Sequence, residues 1–143
     1  MDFFGLLFDN TSLPVLGSVM SFSEQRQQVL AHNVANINTP FFRVTDLPVG
    51  EFTEALDEAI ERRDAQCPHR FNPRSTPNVR FEAGLSVAAR EIGGLMNYYD
   101  GADRSIERLQ NEMLKNAVWH EAAARLFSHQ SQLLETAVRE RIT

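Results

Sequence analysis

The 143-residue chain holds a single cysteine, Cys67. No intrachain disulfide can form, so nothing in the sequence marks a fold stapled by oxidation. Positive charge is also in short supply: 14 Lys and Arg against 19 Asp and Glu give a net charge of −5 and a pI near 5.3. Binding to phosphate needs a clustered excess of Lys and Arg, and the absence of any such cluster argues against a nucleic-acid partner. Long apolar runs are missing as well. No stretch nears the roughly 18 to 20 apolar residues that span a bilayer, so no integral membrane helix is expected.

The opening "MDFFGLLFDN" is apolar for several residues. It has no Lys or Arg ahead of it, carries Asp2 and Asp9 and lacks a small-residue cleavage pattern, so a cleaved secretory signal is not expected. Its Phe3, Phe4, Leu6, Leu7 and Phe8 suit two uses equally. One is a staple folded onto the first helix; the other is a segment that docks on a partner or is read by an export machine.

What is present is ordinary globular composition, 43% hydrophobic and 23% charged. That is enough for one domain, or for a small domain carrying long helical arms. From Leu13 to Ile37 the residues Leu16, Val19, Met20, Leu30, Val34 and Ile37 recur at spacings of three and four, with Asn10, Thr11 and Ser12 as capping oxygens and Pro14 in the first turn. Ser23, Arg26 and Gln27 dilute the stripe in its middle. A polar middle suits a helix that packs on a partner in a defined register better than one sunk in a dry core.

Thr39-Pro40 ends that helix, and residues 38 to 48 read as an extended or turning link. A shorter helix follows, with Phe52, Leu56 and Ile60 every fourth residue among Glu51, Glu54, Asp57, Glu58 and Glu61, ending near Arg63. Between Ala65 and Gly101 prolines and glycines break every pattern. Val79 to Glu82 alternates like a short strand, "SVAAREIGGLM" fits a helical turn or another strand, and Asp100-Gly101 signals a turn.

From Arg104 to about Arg141 there is neither Gly nor Pro. Asp103 can cap a helix here, and Leu109, Met113, Ala117, His120, Ala124, Phe127, Leu134 and Val138 form one face. At about 1.5 Å per residue it is roughly 55 to 60 Å long, more than a compact domain of this size needs. A second apolar row lies beside the first: Val118, Ala122, Leu126, Leu133 and Ala137. One partner helix covers about one row, and each large aliphatic left wet forfeits roughly 1.5 to 3 kcal/mol, so something else is expected to cover the second.

Chemistry-bearing constellations are thin. Cys67-Pro68-His69 lacks a matching ligand pair, and His120 and His129 are nine apart rather than at a ligating i, i+4 spacing, so no metal site is expected. His120 reads as a packed histidine with a hydrogen-bonded ring, His32 as a helix-surface residue. The carboxylates of the second helix read as a solvated face. No phosphate loop or nucleophile elbow occurs, so an enzyme is not expected. Asn33, Asn36 and Asn38 crowd the end of the first helix. Asn36 and Asn38 suit a terminator. Asn33, a full turn inside and sharing a face with Asn36, either belongs to that terminator or specifies register between helices.

The wording of both ends is more specific. "EQRQQVLAHNVANINTPFFRVTD", Glu24 to Asp46, resembles the N-terminal signature of the bacterial flagellar rod and hook family, a helix ending in A-N-N-I-A-N-x-x-T-P-G-Y. "NAVWHEAAARLFSHQSQLLETAV", Asn116 to Val138, resembles the last helix of the family's proximal-rod (FlgB) branch, and "YYDGADRSIE", Tyr98 to Glu107, its lead-in. The chain departs from the pattern at three places. His32 replaces one Asn, Asp100-Gly101-Ala102-Asp103 alters the lead-in, and Phe41-Phe42 replaces Gly-Tyr, so that turn is expected to use other backbone angles.

The resemblance implies a mostly α fold whose long N- and C-terminal helices pair antiparallel, coiled-coil-like, around a short irregular, β-containing middle. Residues 1–39 would form the first arm, 40–102 the middle and 103–143 the last helix, the two arms making one core domain. It further implies a non-enzymatic structural subunit of the basal-body rod in the periplasm, exported by the flagellar type III apparatus without a cleaved signal. Its partners would be copies of itself, other rod proteins (FlgC-like) and the ring-rod adaptor FliE, with no cofactor, small-molecule substrate or nucleic acid. The expected subunit interface comprises Leu30, Asn33, Val34, Asn36, Ile37, Thr39 and Pro40 at the first end, and Val118, Ala122, Leu126, Phe127, Leu133 and Leu134 at the last. An alternative from another class is a soluble helical adaptor or export chaperone.

Overall fold

The computed structural model describes residues 11–65, 71–81, 84–91 and 106–142. Three helices dominate them: α1 (Leu13–Asn36), α2 (Val49–Ala65) and α3 (Ile106–Ile142). Four two-residue strands make two antiparallel ribbons. In the first, β1 (Thr45–Asp46) pairs with β4 (Arg90–Glu91); in the second, β2 (Val79–Arg80) pairs with β3 (Ser86–Val87). The fold is mostly α, with long first and last helices and a short strand-containing middle. Asp100-Gly101, the Asp103 cap and the opening apolar segment lie outside the described residues.

α1 starts where its sequence signals place it. Pro14 sits in the first turn, and the Leu13 N–H donates to Thr11 Oγ1 at 3.3 Å, while Ser12, at the cap position, makes no side-chain bond. Its apolar residues turn to two sides. Phe22 stacks on Phe52 of α2 with ring centroids 4.1 Å apart and, with Leu47, Leu56 and Val79, forms one buried cluster. Leu30 and Ile37 join Val44 and Leu109 of α3 in a second. α2 runs two residues past the expected Arg63, and "SVAAREIGGLM" supplies strands β3 and β4 instead of a helical turn.

α3 lies antiparallel to α1: Leu109 is near Leu30, Glu112 meets Arg26, and Asn116 and His120 meet Ser23. The polar middle of α1 is therefore the part that grips the partner helix, as its composition predicts. Which row of α3 turns inward differs in detail from the expected stripe. Asn116 (4% exposed) and Ala123 are buried in place of Ala117, which is exposed, and Val138 is exposed as well. At about 1.5 Å per residue α3 outruns α1 by roughly 20 Å.

Two further expectations are corrected. Asn33 is fully buried and does not bridge helices: its Nδ2 donates to Thr45 O at 2.6 Å, and its Oδ1 accepts from the Thr45 N–H at 3.1 Å. The side-chain amide thus pairs with the link as a neighbouring strand would, pinning it to α1. Asn36 turns its Nδ2 back to the His32 carbonyl at 2.9 Å, as a terminator does. Phe41 takes the left-handed backbone angle that glycine enters most readily, with φ of +61°, where other backbone angles were expected. Phe42 N–H donates to Thr39 O at 3.2 Å, which closes a turn with Pro40 second and Phe41 third. A type II turn with Pro second wants glycine at its third place, because only there is positive φ needed.

Replacing Asn33 by Leu would leave the N–H and the carbonyl of the half-buried Thr45 without their Asn33 partner, at up to about 1 to 3 kcal/mol each. Asn33→Leu is expected to lower unfolding free energy by roughly 2 to 4 kcal/mol with helicity retained. Urea denaturation followed by circular dichroism measures it; a change below about 0.5 kcal/mol would remove the pin from the account.

Candidate functional site

Three features stand out once the helices are in place: a polar seam between α1 and α3, an apolar row on the far side of α3, and two surface depressions.

At the seam, Arg26 donates from Nε to Asp46 Oδ1 at 2.9 Å and from Nη2 to Asp46 Oδ2 at 2.6 Å, a fork that matches the carboxylate. Nη2 also reaches Glu112 Oε2 at 2.8 Å. The guanidinium is mostly buried, and its hydrogen bond to Asp46 raises its pKa above the ordinary value despite the desolvation. Glu112 also accepts from Lys115 Nζ at 3.0 Å. That bond first, then Arg26, holds its carboxyl below the usual range, although burial alone would push it up. One turn along, Asn116 Nδ2 donates to Ser23 O at 2.8 Å and Gln27 Oε1 at 2.9 Å. His120 Nδ1 lies 2.8 Å from Ser23 Oγ, the packed and hydrogen-bonded ring its place on the stripe predicts. The reading from sequence did not single out Asn116 or the Arg26 fork. A buried amide within an apolar stripe was the available signal for the first.

The outer face of α3 is open. Val118 is 57% exposed, Trp119 58%, Leu126 58% and Leu133 53%, with Ala122 and Ala137 exposed among them. Trp119, Leu126 and Leu133 are seven apart, so they stack along one side of the helix. Trp119 extends the row beyond the residues expected from sequence. Single exposed apolar side chains need no explanation; here they fall in one row along the helix. Of the other expected interface residues, Phe127, Leu134 and Val34 are half-buried, whereas Leu30, Asn33 and Ile37 are consumed inside the subunit. Asn36 is half-buried, and Thr39 and Pro40 are exposed at the end of α1.

The larger depression, about 540 Å³, runs between Gly17 and Ser21 of α1 and the segments of Phe71, Pro73 and Leu85, and no titratable side chain among the described residues lines it. A notch of about 180 Å³ is floored by Phe22 and Phe52 and flanked by Lys115 and Trp119. No group of three or more His, Cys, Asp and Glu gathers among the described residues, and Cys67 and His69 lie outside them. No helix among the described residues is long and apolar enough to cross a membrane.

Glu51 completes the polar framework. It accepts from Asn78 Nδ2 at 2.8 Å, Thr76 Oγ1 at 3.2 Å and Arg90 Nη1 at 2.9 Å. Asn78 chiefly, and Arg90 and Thr76 after it, hold its carboxyl low against the cost of burial. No protein-family model matches this sequence, and no curated protein matches it either.

The depressed carboxyls make stability depend on pH in one direction. Glu112 and Glu51 titrate lower folded than unfolded, so the unfolded chain takes up their protons first as pH falls. Their contribution is full above the unfolded value, about 4.3, and is lost as pH drops through the folded values. Thermal unfolding between pH 7 and pH 3 is expected to show Tm falling below about pH 5, with Glu112→Gln less stable at pH 7 and flatter towards acid. An unchanged slope in that variant would separate Glu112 from the acid response.

Proposed function

We propose that this chain is a structural, non-enzymatic subunit of the bacterial flagellar basal-body rod, most similar to the proximal-rod branch. It polymerises through its terminal helices into a helical tube that transmits torque. Its partners in this reading are further copies, neighbouring rod proteins and the ring-rod adaptor, with delivery by the flagellar export apparatus.

The single observation that carries the reading is the open apolar row of α3. α1 covers one row of α3 and leaves Val118, Trp119, Leu126 and Leu133 more than half exposed. Burying the remaining half of each contributes on the order of 1 kcal/mol per side chain, repeated at every contact in an assembly. The seam between α1 and α3 suits the same role. It fixes the rotation of α3 through buried polar pairs, so the row is presented in one orientation to every neighbour. The motifs at both ends of the chain support the identity of the assembly, and the dearth of catalytic constellations agrees with a mechanical role.

Leu126→Asp and Leu133→Asp place charges on the open row, where the monomer buries little. Each is expected to leave monomer stability within about 0.5 kcal/mol while abolishing self-association in sedimentation. In cells, deletion of the gene is expected to give basal bodies with rings and no shaft by electron microscopy, and the Asp variants to fail to restore it. Intact shafts in the deletion strain would refute the rod reading, and a chain that stays monomeric at every concentration would favour an adaptor or chaperone.

A further inference from the structure

Phe41 is 79% exposed, the most exposed large apolar side chain among the described residues, and stands on a left-handed backbone. Both facts run against self-interest. A bulky residue at positive φ is strained where glycine is not, and the turn at Thr39–Phe42 has a place made for glycine. The ring also leaves its apolar surface in water. Its neighbour Phe42, by contrast, is half-buried against His32 and the second core cluster. Strain retained with no packing return among the described residues points to a use outside them.

A receptor of matching size exists elsewhere on the same chain. The notch between α1, α2 and α3 is lined chiefly by the apolar Val19, Phe22, Val49, Phe52 and Trp119, with Lys115 and the seam residues Ser23, Arg26 and Asn116 beside them, and encloses about 180 Å³. An apolar cavity of about 150 Å³ accepts a benzene ring. The Lys115 ammonium beside it is 59% exposed and paired with Glu112 at 3.0 Å, leaving part of the ammonium open to a further contact. An aromatic ring answers that charge with its negative π face, which an aliphatic side chain cannot do.

We propose that Phe41 of one copy inserts into the Phe22–Phe52–Trp119 notch of a second copy. The inference rests on the self-assembly reading above and names one contact within it. Knob and notch lie on different parts of the surface, about 20 Å apart along α1 at about 1.5 Å per residue. Because knob and notch are different patches, the contact can run head to tail and pass from copy to copy, as in a ring or a helical tube. One ring buries about 150 to 250 Å², well short of the roughly 800 Å² per partner in a stable pair. The knob therefore sets the position of the next copy while the α3 row supplies the remaining area, and two free copies do not hold together by it.

Trp119 is the only tryptophan, so its fluorescence reports on the notch directly. Full-length chain taken through self-association is expected to show a blue shift of Trp119 emission and reduced access to quencher. Phe41→Gly, which relieves the strained angle, is expected to keep the monomer's circular dichroism with Tm unchanged or raised, yet to show a smaller shift than the wild-type chain at equal association, the α3 row alone covering only part of Trp119. A photoreactive benzoylphenylalanine at position 41, in mixed light and heavy isotope-labelled chains, is expected to join light to heavy at Val19–Phe22, Val49–Phe52 or Lys115–Trp119. Adducts within one chain, adducts with residues 1–10, or a full Trp119 shift in associating Phe41→Gly would each overturn the knob and leave self-assembly standing. A wild-type chain that never associates would overturn both.

Discussion

The Arg26 guanidinium is where the three parts of the chain are tied. Its fork holds Asp46, and its Nη2 also holds Glu112. A mostly buried cation is tolerable only when its donors meet acceptors, so α1, the link after the Thr39-Pro40 turn and α3 must arrive together for the charge to be answered. Asp46 is the second residue of β1, next to Thr45, whose backbone is clasped by Asn33. Once Asp46 is fixed, the link has one path along α1, and β4 is given an edge to pair with. Glu112 carries the same constraint to α3.

From that node the polar seam runs up α1 through Ser23 and Gln27 to Asn116 and His120. Hydrophobic contact alone would let α3 rotate by a row with little loss, because both of its rows are apolar. The buried amide does not permit this: turned outward, Asn116 would leave the Ser23 carbonyl and Gln27 without their donor. The outward row stays outward for the same reason. In the proposed assembly the row that the seam keeps outward is what neighbours would cover, and the strained, exposed Phe41 at the far end of α1 is a second element with no packing return among the described residues.

Small side-chain amides do much of the work that longer strands do elsewhere. Asn33 pairs with both backbone groups of Thr45, and Gln25 in like manner donates to Leu85 O at 2.6 Å and accepts from Val87 N–H at 3.2 Å. Ribbons of two residues have little hold of their own, so these amides dock the middle segment on α1. Asn78 and Thr76 do the same towards Glu51 of α2. The middle is therefore ordered by specific polar bonds over a small apolar core that includes Phe22, Phe52 and Val79.

The chain's periodicity alone determined the three helices, their approximate bounds, the break at Thr39-Pro40 and the existence of more apolar surface on α3 than one partner covers. These are local properties, set by spacings of three and four and by proline, and need no knowledge of what lies across the fold. Only the tertiary structure decided which row of α3 faces inward, that Asn33 clasps the link instead of a helix, and that Phe41 keeps a glycine's backbone angle. Each of those depends on a partner that spacing along one helix does not reveal: Thr45 is 12 residues from Asn33 and Ser23 is 93 from Asn116. An amide's preference is silent until its acceptor arrives, because its cost when buried and its value when bonded are of similar size and opposite sign.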